Sequence, residues 1–260
     1  MTDATTDELV LRTDADGVAT LTLNRPEKRN AINRELFRTL RRHLLALHDD
    51  RMIGLVVIAG AGDHFCAGHD LSEKPHADAL GWLRREVQTL ELLTRLRQPV
   101  IAAVRGTCFT GGLELALAAD FILCDESARF ADTHGKWGLV PGWGMSQRLP
   151  RRVGQAKALE MMITCRPYGA ADALAMGLVN QCVPAGELDA AVGELAATIL
   201  ANSWHSNAEN KRLVYNTDGM RLAEGIDHEI MRNAGFDRDA AARRQRFHDR
   251  PRGDAGSDSR

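Results

Sequence analysis

Three stretches of the chain carry side chains whose types and spacing could do chemistry. The first is His64-Phe-Cys-Ala-Gly-His69-Asp70-Leu71. Histidine, cysteine and aspartate are metal-ligand types, but no second ligand cluster with zinc-like spacing exists, and alternation would put His64 and Cys66 on a different side from His69. The same residues also suit a polar turn after a strand. The second stretch is Arg105-Gly-Thr-Cys-Phe-Thr-Gly111-Gly112-Leu-Glu114. Paired glycines at a helix start leave backbone N–H groups unpaired at its positive end, a place for a developing oxyanion. They equally suit close packing of a helix on a sheet, and a carboxylate in the first turn is favoured by the helix dipole alone. The third runs from Phe130 to Gly144 and holds Asp132 and His134. If extended, residues two apart project to one side, where an aspartate could orient an imidazole; the alternative is a solvent-facing pair. G-x-G-x-x-G, Walker A, H-E-x-x-H and C-x-x-C motifs are absent, and Arg148 stands where a nucleophile elbow around Ser146 would need glycine.

Alternating strands and helices are predicted to position these stretches. Val18–Leu23 alternates as a strand and is broken at Asn24-Arg25-Pro26. Asn33 reads as an N-cap for a helix reaching about Asp49. Gly54–Ala59, Pro99–Val104 and Phe121–Cys124 are short apolar runs, the signature of strands buried on both faces. Leu80–Leu96 and Leu113–Ala119 read as helices between them. This order predicts an α/β fold with largely parallel pairing, in which glycines just past strand ends mark the site. From Gln155 onward the pattern is mostly helical: Ala170–Met176, Glu187–Leu200, Ser206–Tyr215, Met220–Ala234 and Asp237–Phe247, with Leu178–Val183 extended. A core is therefore expected over residues 1–200, with a helical region over 201–260 whose last ten residues are frayed.

The 260 residues suffice for one large domain. With 33 Lys+Arg against 35 Asp+Glu, the net charge of −2 argues against a dedicated nucleic-acid binder. No apolar run is long enough for a membrane span, and the acidic start lacks the character of a signal peptide. Five widely spaced cysteines fit reduced core thiols and a cytoplasmic location.

Taken in order and spacing, the motifs resemble the crotonase superfamily, the enoyl-CoA hydratase/isomerase family. The matching pieces are Asn24-Arg-Pro-Glu-Lys-Arg-Asn-Ala31, Phe65-Cys-Ala-Gly-His-Asp-Leu71, Pro99-Val-Ile-Ala-Ala-Val-Arg-Gly106, Gly111-Gly-Leu-Glu114, Ala128-Arg-Phe130, Gly138-Leu-Val-Pro-Gly142, Gln147-Arg-Leu149 and Ala173-Leu-Ala-Met-Gly-Leu-Val179. The resemblance implies a spiral core of ββα units, a helical C-terminal trimerisation region, and a homotrimer or dimer of trimers. It implies an acyl-CoA thioester whose carbonyl oxygen is held by the N–H groups of His69 and Gly111. Glu114 matches one of two carboxylates that family hydratases place around a water. His134 stands at the position of the other, and Thr110 where many relatives carry glycine.

From the resemblance, Lys28, Arg29, Ala67, Asp70 and Leu71 are expected on the CoA side, and an Arg-rich tail (Arg243, Arg244, Arg246, Arg250, Arg252) could reach a neighbour's CoA. No metal and no resident cofactor is expected, because CoA arrives as part of the substrate. The expected reaction is addition of water to a 2-enoyl-CoA, a hydro-lyase activity with Glu114 as base, His134 as proton donor, and an enolate held by the oxyanion hole. Double-bond isomerisation, thioester hydrolysis and a catalytically poor acyl-CoA-binding paralogue are the alternatives. The span between Glu73 and Arg85 should flank the acyl group and offers Trp82 and Leu83 among mostly polar residues.

Overall fold

The computed structural model describes residues 8–73, 78–237 and 239–249. The chain divides into two compact units, the first ending at Leu200 and the second starting at Ala201.

The first unit contains β1 (Val10–Ala15), β2 (Val18–Leu23), α1 (Arg34–His48), β3 (Leu55–Gly60), α2 (Ala79–Thr94), β4 (Val100–Val104), β5 (Thr107–Phe109), α3 (Gly111–Leu117), β6 (Phe121–Asp125) and β7 (Arg129–Ala131). It continues through α4 (Met145–Val153), α5 (Gln155–Thr164), β8 (Tyr168–Gly169), α6 (Ala170–Ala175), β9 (Gln181–Val183) and α7 (Leu188–Ala201). Six strands form one sheet in the order β1-β2-β3-β4-β6-β9, parallel except for the β1–β2 hairpin. Strand β3 is apolar on both faces because the sheet is covered on both: Val56 and Ile58 join the main core, whereas Leu55 and Val57 pack with Leu188 and Val192 of α7. Helix α1 starts where its cap says: the Asn33 side chain accepts from the Leu36 N–H at 2.9 Å, satisfying an otherwise orphaned donor.

A second, three-stranded sheet runs β5-β7-β8. The chain passes from β4 in the large sheet to β5 in the small one and then into α3. It passes likewise from β6 to β7 and then through a short 3-10 turn to α4. This is the repeating ββα unit. The register sets the site. Cys66 bridges to Cys108, and Phe109 pairs with Ala131. The loops beginning at residues 67, 110 and 132 therefore leave the small sheet side by side.

The second unit holds α8 (Trp204–Thr217), α9 (Leu222–Met231) and α10 (Ala240–His248). Ala208 is the single buried residue on these helices, and Val214, Leu222, Ile226 and Ile230 are exposed. No helix among the described residues is long and apolar enough to cross a membrane.

Most expected elements are present with ends moved by one to three residues. The helix expected over 220–234 is one of these, at Leu222–Met231. Three features differ in substance. Only Gln181–Val183 of the extended 178–183 segment pairs as strand. Strand β1 lies in a polar stretch, Val10-Leu-Arg-Thr-Asp-Ala15, and exists because Val18–Leu23 pairs with it. Finally, residues 132–134 are not a continuous extended segment. His134 opens a 3-10 turn, His134–Trp137, and its backbone N–H donates to Asp132 Oδ1 at 3.0 Å, so the aspartate turns the chain.

Candidate active site

Gly68 and Gly111 bring two loops into contact. Gly68 has φ of +107°, and a Cβ there would lie 3.0 Å from the Phe109 carbonyl and 3.4 Å from the Gly111 nitrogen. A side chain at residue 68 would therefore enter the space between the loops. The first loop is anchored by Asn30, which is fully buried. Its Oδ1 accepts from the Arg25 N–H, and its Nδ2 donates to the carbonyls of Ala61 and His64. Ile32 donates to the Gly68 carbonyl at 2.7 Å, and Asp70 donates back to Ile32 at 2.8 Å. This parallel bridge turns the intervening His69 N–H the other way, because successive amides of an extended chain point to opposite sides. Neither the His69 nor the Gly111 amide donates to a protein acceptor among the described residues. Two donors left unspent next to each other are what an oxyanion site requires.

Helix α3 has seven residues, all buried, and is too short to persist without packing. Its first turn fits because Gly111 meets the Trp143 ring, where a Cβ would come within 2.5 Å, and Gly112 meets the Cys66 carbonyl at the same distance. Thr110 precedes it at φ +51°, an uncommon conformation for a β-branched residue. Its hydroxyl is 2.5 Å from that of Thr133, tying the second loop to the third.

Glu114, 2% exposed, stands on α3. Its Oε1 accepts from the backbone N–H groups of Trp143 at 2.8 Å and Met145 at 3.0 Å. That leaves Oε2 facing His134 Nε2 at 3.9 Å, beyond a hydrogen bond but within reach of one shared water. Burial raises the Glu114 pKa, opposed by the two backbone donors and by His134. On the far side of the imidazole, Nδ1 lies 2.6 Å from Asp132 Oδ1. Asp132 is 1% exposed and accepts only as a carboxylate, so it fixes the proton on Nδ1 and leaves Nε2 to exchange protons with whatever lies between it and Glu114.

These groups line one cavity of about 310 Å³, with Ala67, His69, Leu71, Gly111, Glu114 and His134 all in its wall and Leu139, Val140 and Pro141 opposite. The structure thus brings together the four expected catalytic residues and two of the five expected on the CoA side. Lys28 and Arg29 are exposed next to the cavity wall, the Arg29 carbonyl accepting from the Ala67 N–H at 2.9 Å. Asp70 faces away. It pairs with Arg25 at 3.0 Å and accepts from the Ser72 hydroxyl at 2.6 Å, and these bonds hold its pKa down at about 2, the Ser72 hydroxyl first. Arg243 bonds to Asp239 and to the Ala201 carbonyl, and Arg250 and Arg252 lie outside the described residues.

The ligand-type residues of the first stretch disperse. His64 Nδ1 accepts from the Thr107 N–H, and burial pushes the Cys66 thiol up to about 12, too high for a thiolate. Among the described residues no three His, Cys, Asp or Glu side chains gather as a metal site.

Glu86 on α2 was not expected. It is 5% exposed, lines the same cavity, and accepts from Trp82 Nε1 at 2.5 Å and Trp143 Nε1 at 2.9 Å. The signal for it was available: Leu83, Glu86, Leu90 and Leu93 follow helical spacing on one face, so a glutamate sits in the apolar stripe.

The model of the enoyl-CoA hydratase/isomerase family matches residues 13–247. The chain belongs to the enoyl-CoA hydratase/isomerase family. The crotonyl-CoA hydratase of Syntrophomonas wolfei is 31% identical over 239 residues, covering 90% of this chain and 88% of its own. A crystal structure of enoyl-CoA hydratase from Bacillus anthracis superposes with a TM-score of 0.89 at 31% identity, covering 92% of this chain and 96% of that one. A Thermobifida fusca YX structure in complex with acetoacetyl-CoA gives a TM-score of 0.81 at 29% identity, covering 93% and 95%. The protein is a hydratase-like enzyme of this family, and the mixed α/β spiral with its helical C-terminal region is the crotonase fold.

Proposed function

We propose that the protein adds water across the C2–C3 double bond of a 2-enoyl-CoA. The observation that carries this reading is the facing pair, Glu114 Oε2 and His134 Nε2, 3.9 Å apart beside two unspent amides. The thioester oxygen accepts from the His69 and Gly111 N–H groups, which stabilise the negative charge that builds up there as C3 is attacked. Glu114 Oε2 takes one proton from water while the hydroxyl forms its bond to C3. His134 gives a proton from Nε2 to C2. The proton on Glu114 then returns to His134 Nε2, and the pair is reset. Imidazole thus does what a second carboxylate does in family hydratases, with Asp132 as the group that fixes its tautomer.

The acyl-CoA assignment draws support from the acetoacetyl-CoA complex of the related T. fusca protein. CoA enters as part of the substrate, and Lys28, Arg29, Ala67 and Leu71 are on or beside the wall it would follow. The exposed stripe Leu222, Ile226 and Ile230 on α9 supports a trimer-based assembly through residues 201–260, and the free thiols support a reducing, cytoplasmic setting.

The test is incubation with crotonyl-CoA, following loss of the enoyl thioester's ultraviolet absorbance and identifying the product by chromatography. 3-Hydroxybutyryl-CoA is expected. Release of free CoA identifies a thioester hydrolase, turnover of a 3-enoyl-CoA alone identifies an isomerase, and tight binding without turnover of either identifies a binding paralogue. Light scattering is expected to give a multiple of three protomers at micromolar concentration.

A further inference from the structure

We propose that Glu86 reads the acyl group, and that the preferred substrate carries a hydroxyl on its acyl chain. The proposal rests on the cavity taking an acyl-CoA. Glu86 stands on α2 in the wall of the cavity that also holds Glu114 and His134. The same wall holds the apolar residues Leu71, Leu83, Leu139, Val140 and Pro141, with His69 near enough to favour the charged form of Glu86. A hydrocarbon chain packed into this space would offer this buried carboxylate no donor beyond those the protein itself supplies. Each Glu86 oxygen takes one indole N–H, Oε1 from Trp82 and Oε2 from Trp143. A carboxylate accepts about four hydrogen bonds, so each oxygen keeps one open direction. The indoles leave the carboxylate no freedom to swing away, so a donor has a fixed acceptor to meet. Burial also raises the proton affinity of Glu86, which strengthens it as an acceptor.

The experiment compares binding within pairs of saturated thioesters by titration calorimetry on the full chain: butyryl-CoA with 4-hydroxybutyryl-CoA, and hexanoyl-CoA with 6-hydroxyhexanoyl-CoA. At least one hydroxylated member is expected to bind about tenfold more tightly than its plain partner, as fits a hydrogen bond to a charged acceptor. Glu86→Leu is expected to shrink that preference to about twofold while binding of free CoA is unchanged. Glu86→Gln, which keeps one acceptor oxygen, is expected to retain part of it and serves where the leucine variant does not fold. Absence of any hydroxyl preference in the unmodified protein overturns the proposal, as does a preference undiminished in Glu86→Leu or, failing that variant, in Glu86→Gln. Binding is read without turnover, so a protein that binds hydroxyacyl-CoA selectively but hydrates nothing overturns the hydratase reading alone. One that binds no acyl-CoA overturns both.

Discussion

Glu114 and Glu86 face the same cavity from different walls, and the difference between them is where their hydrogen bonds fall. Both are buried, and burial raises the pKa of both. Both accept two N–H donors. Glu114 takes both on Oε1, from the main chain, and keeps Oε2 bare toward His134. Glu86 takes one on each oxygen, from side chains, and keeps neither bare. Unequal pairing concentrates charge and basicity on one atom, which suits proton abstraction. Equal pairing spreads them, which suits recognition. Residue type and burial alone would not separate the two roles.

The largest effect expected from testing this contrast is that of Glu114→Gln, which removes the proposed base and leaves the backbone donors an amide oxygen. It should lower kcat on crotonyl-CoA by about 10²–10⁴-fold, with CoA binding by calorimetry nearly unchanged. A loss that falls on KM instead would make Glu114 a binding group. His134→Ala should follow, at about 10²-fold or more in kcat. If it leaves the rate intact, the bare oxygen of Glu114 works without a partner.

The pH profile sharpens the contrast further. A base must be ionised, and burial raises the Glu114 pKa above its ordinary value of 4.5, so kcat/KM should fall on acidification with a midpoint above 4.5. That limb should stay in place in Glu86→Gln; movement of the limb would identify Glu86 as the base. The same raised value has a sign for stability. Between 4.5 and the native pKa the folded state binds more protons than the unfolded chain, so stability falls as pH rises through that window and stays lower above it. Glu114→Gln should therefore raise the melting temperature at neutral pH while it lowers turnover. The smallest effect belongs to Thr110→Gly. It relieves about 1 kcal/mol of backbone strain and forfeits a hydroxyl bond worth about the same, so calorimetry should show Tm within a few degrees of the parent.

The parts of this molecule written locally were legible in the sequence. Asn33 as a cap, the doubly apolar run of β3, and Gly111-Gly112 ahead of Glu114 each depend on neighbours close in the chain. The long-range partners were not. Strand β1 is specified by β2, and β5 and β7 have three residues each, too few to show a period. The Asp132–His134 turn hides because the same spacing suits an extended pair. Glu86 hides because Arg84 and Arg85 before it make the segment look solvated, whereas its donors come from one turn back and from residue 143.

The anchoring of Glu114 by main-chain amides has a consequence for how this enzyme tolerates change. Because the donors at 143 and 145 belong to the peptide backbone, no ordinary replacement of either side chain deletes them. The Glu114 carboxylate is insulated from sequence drift in the very loop that holds it. Proline is the exception, and the two positions differ in what it would do. Met145 is the first residue of α4, where the missing N–H of proline breaks no bond within the helix. Its side chain is fully buried, so a library scored only for folding would read Met145→Pro as lost core packing, although that substitution also removes one of the two bonds that aim the Glu114 carboxylate.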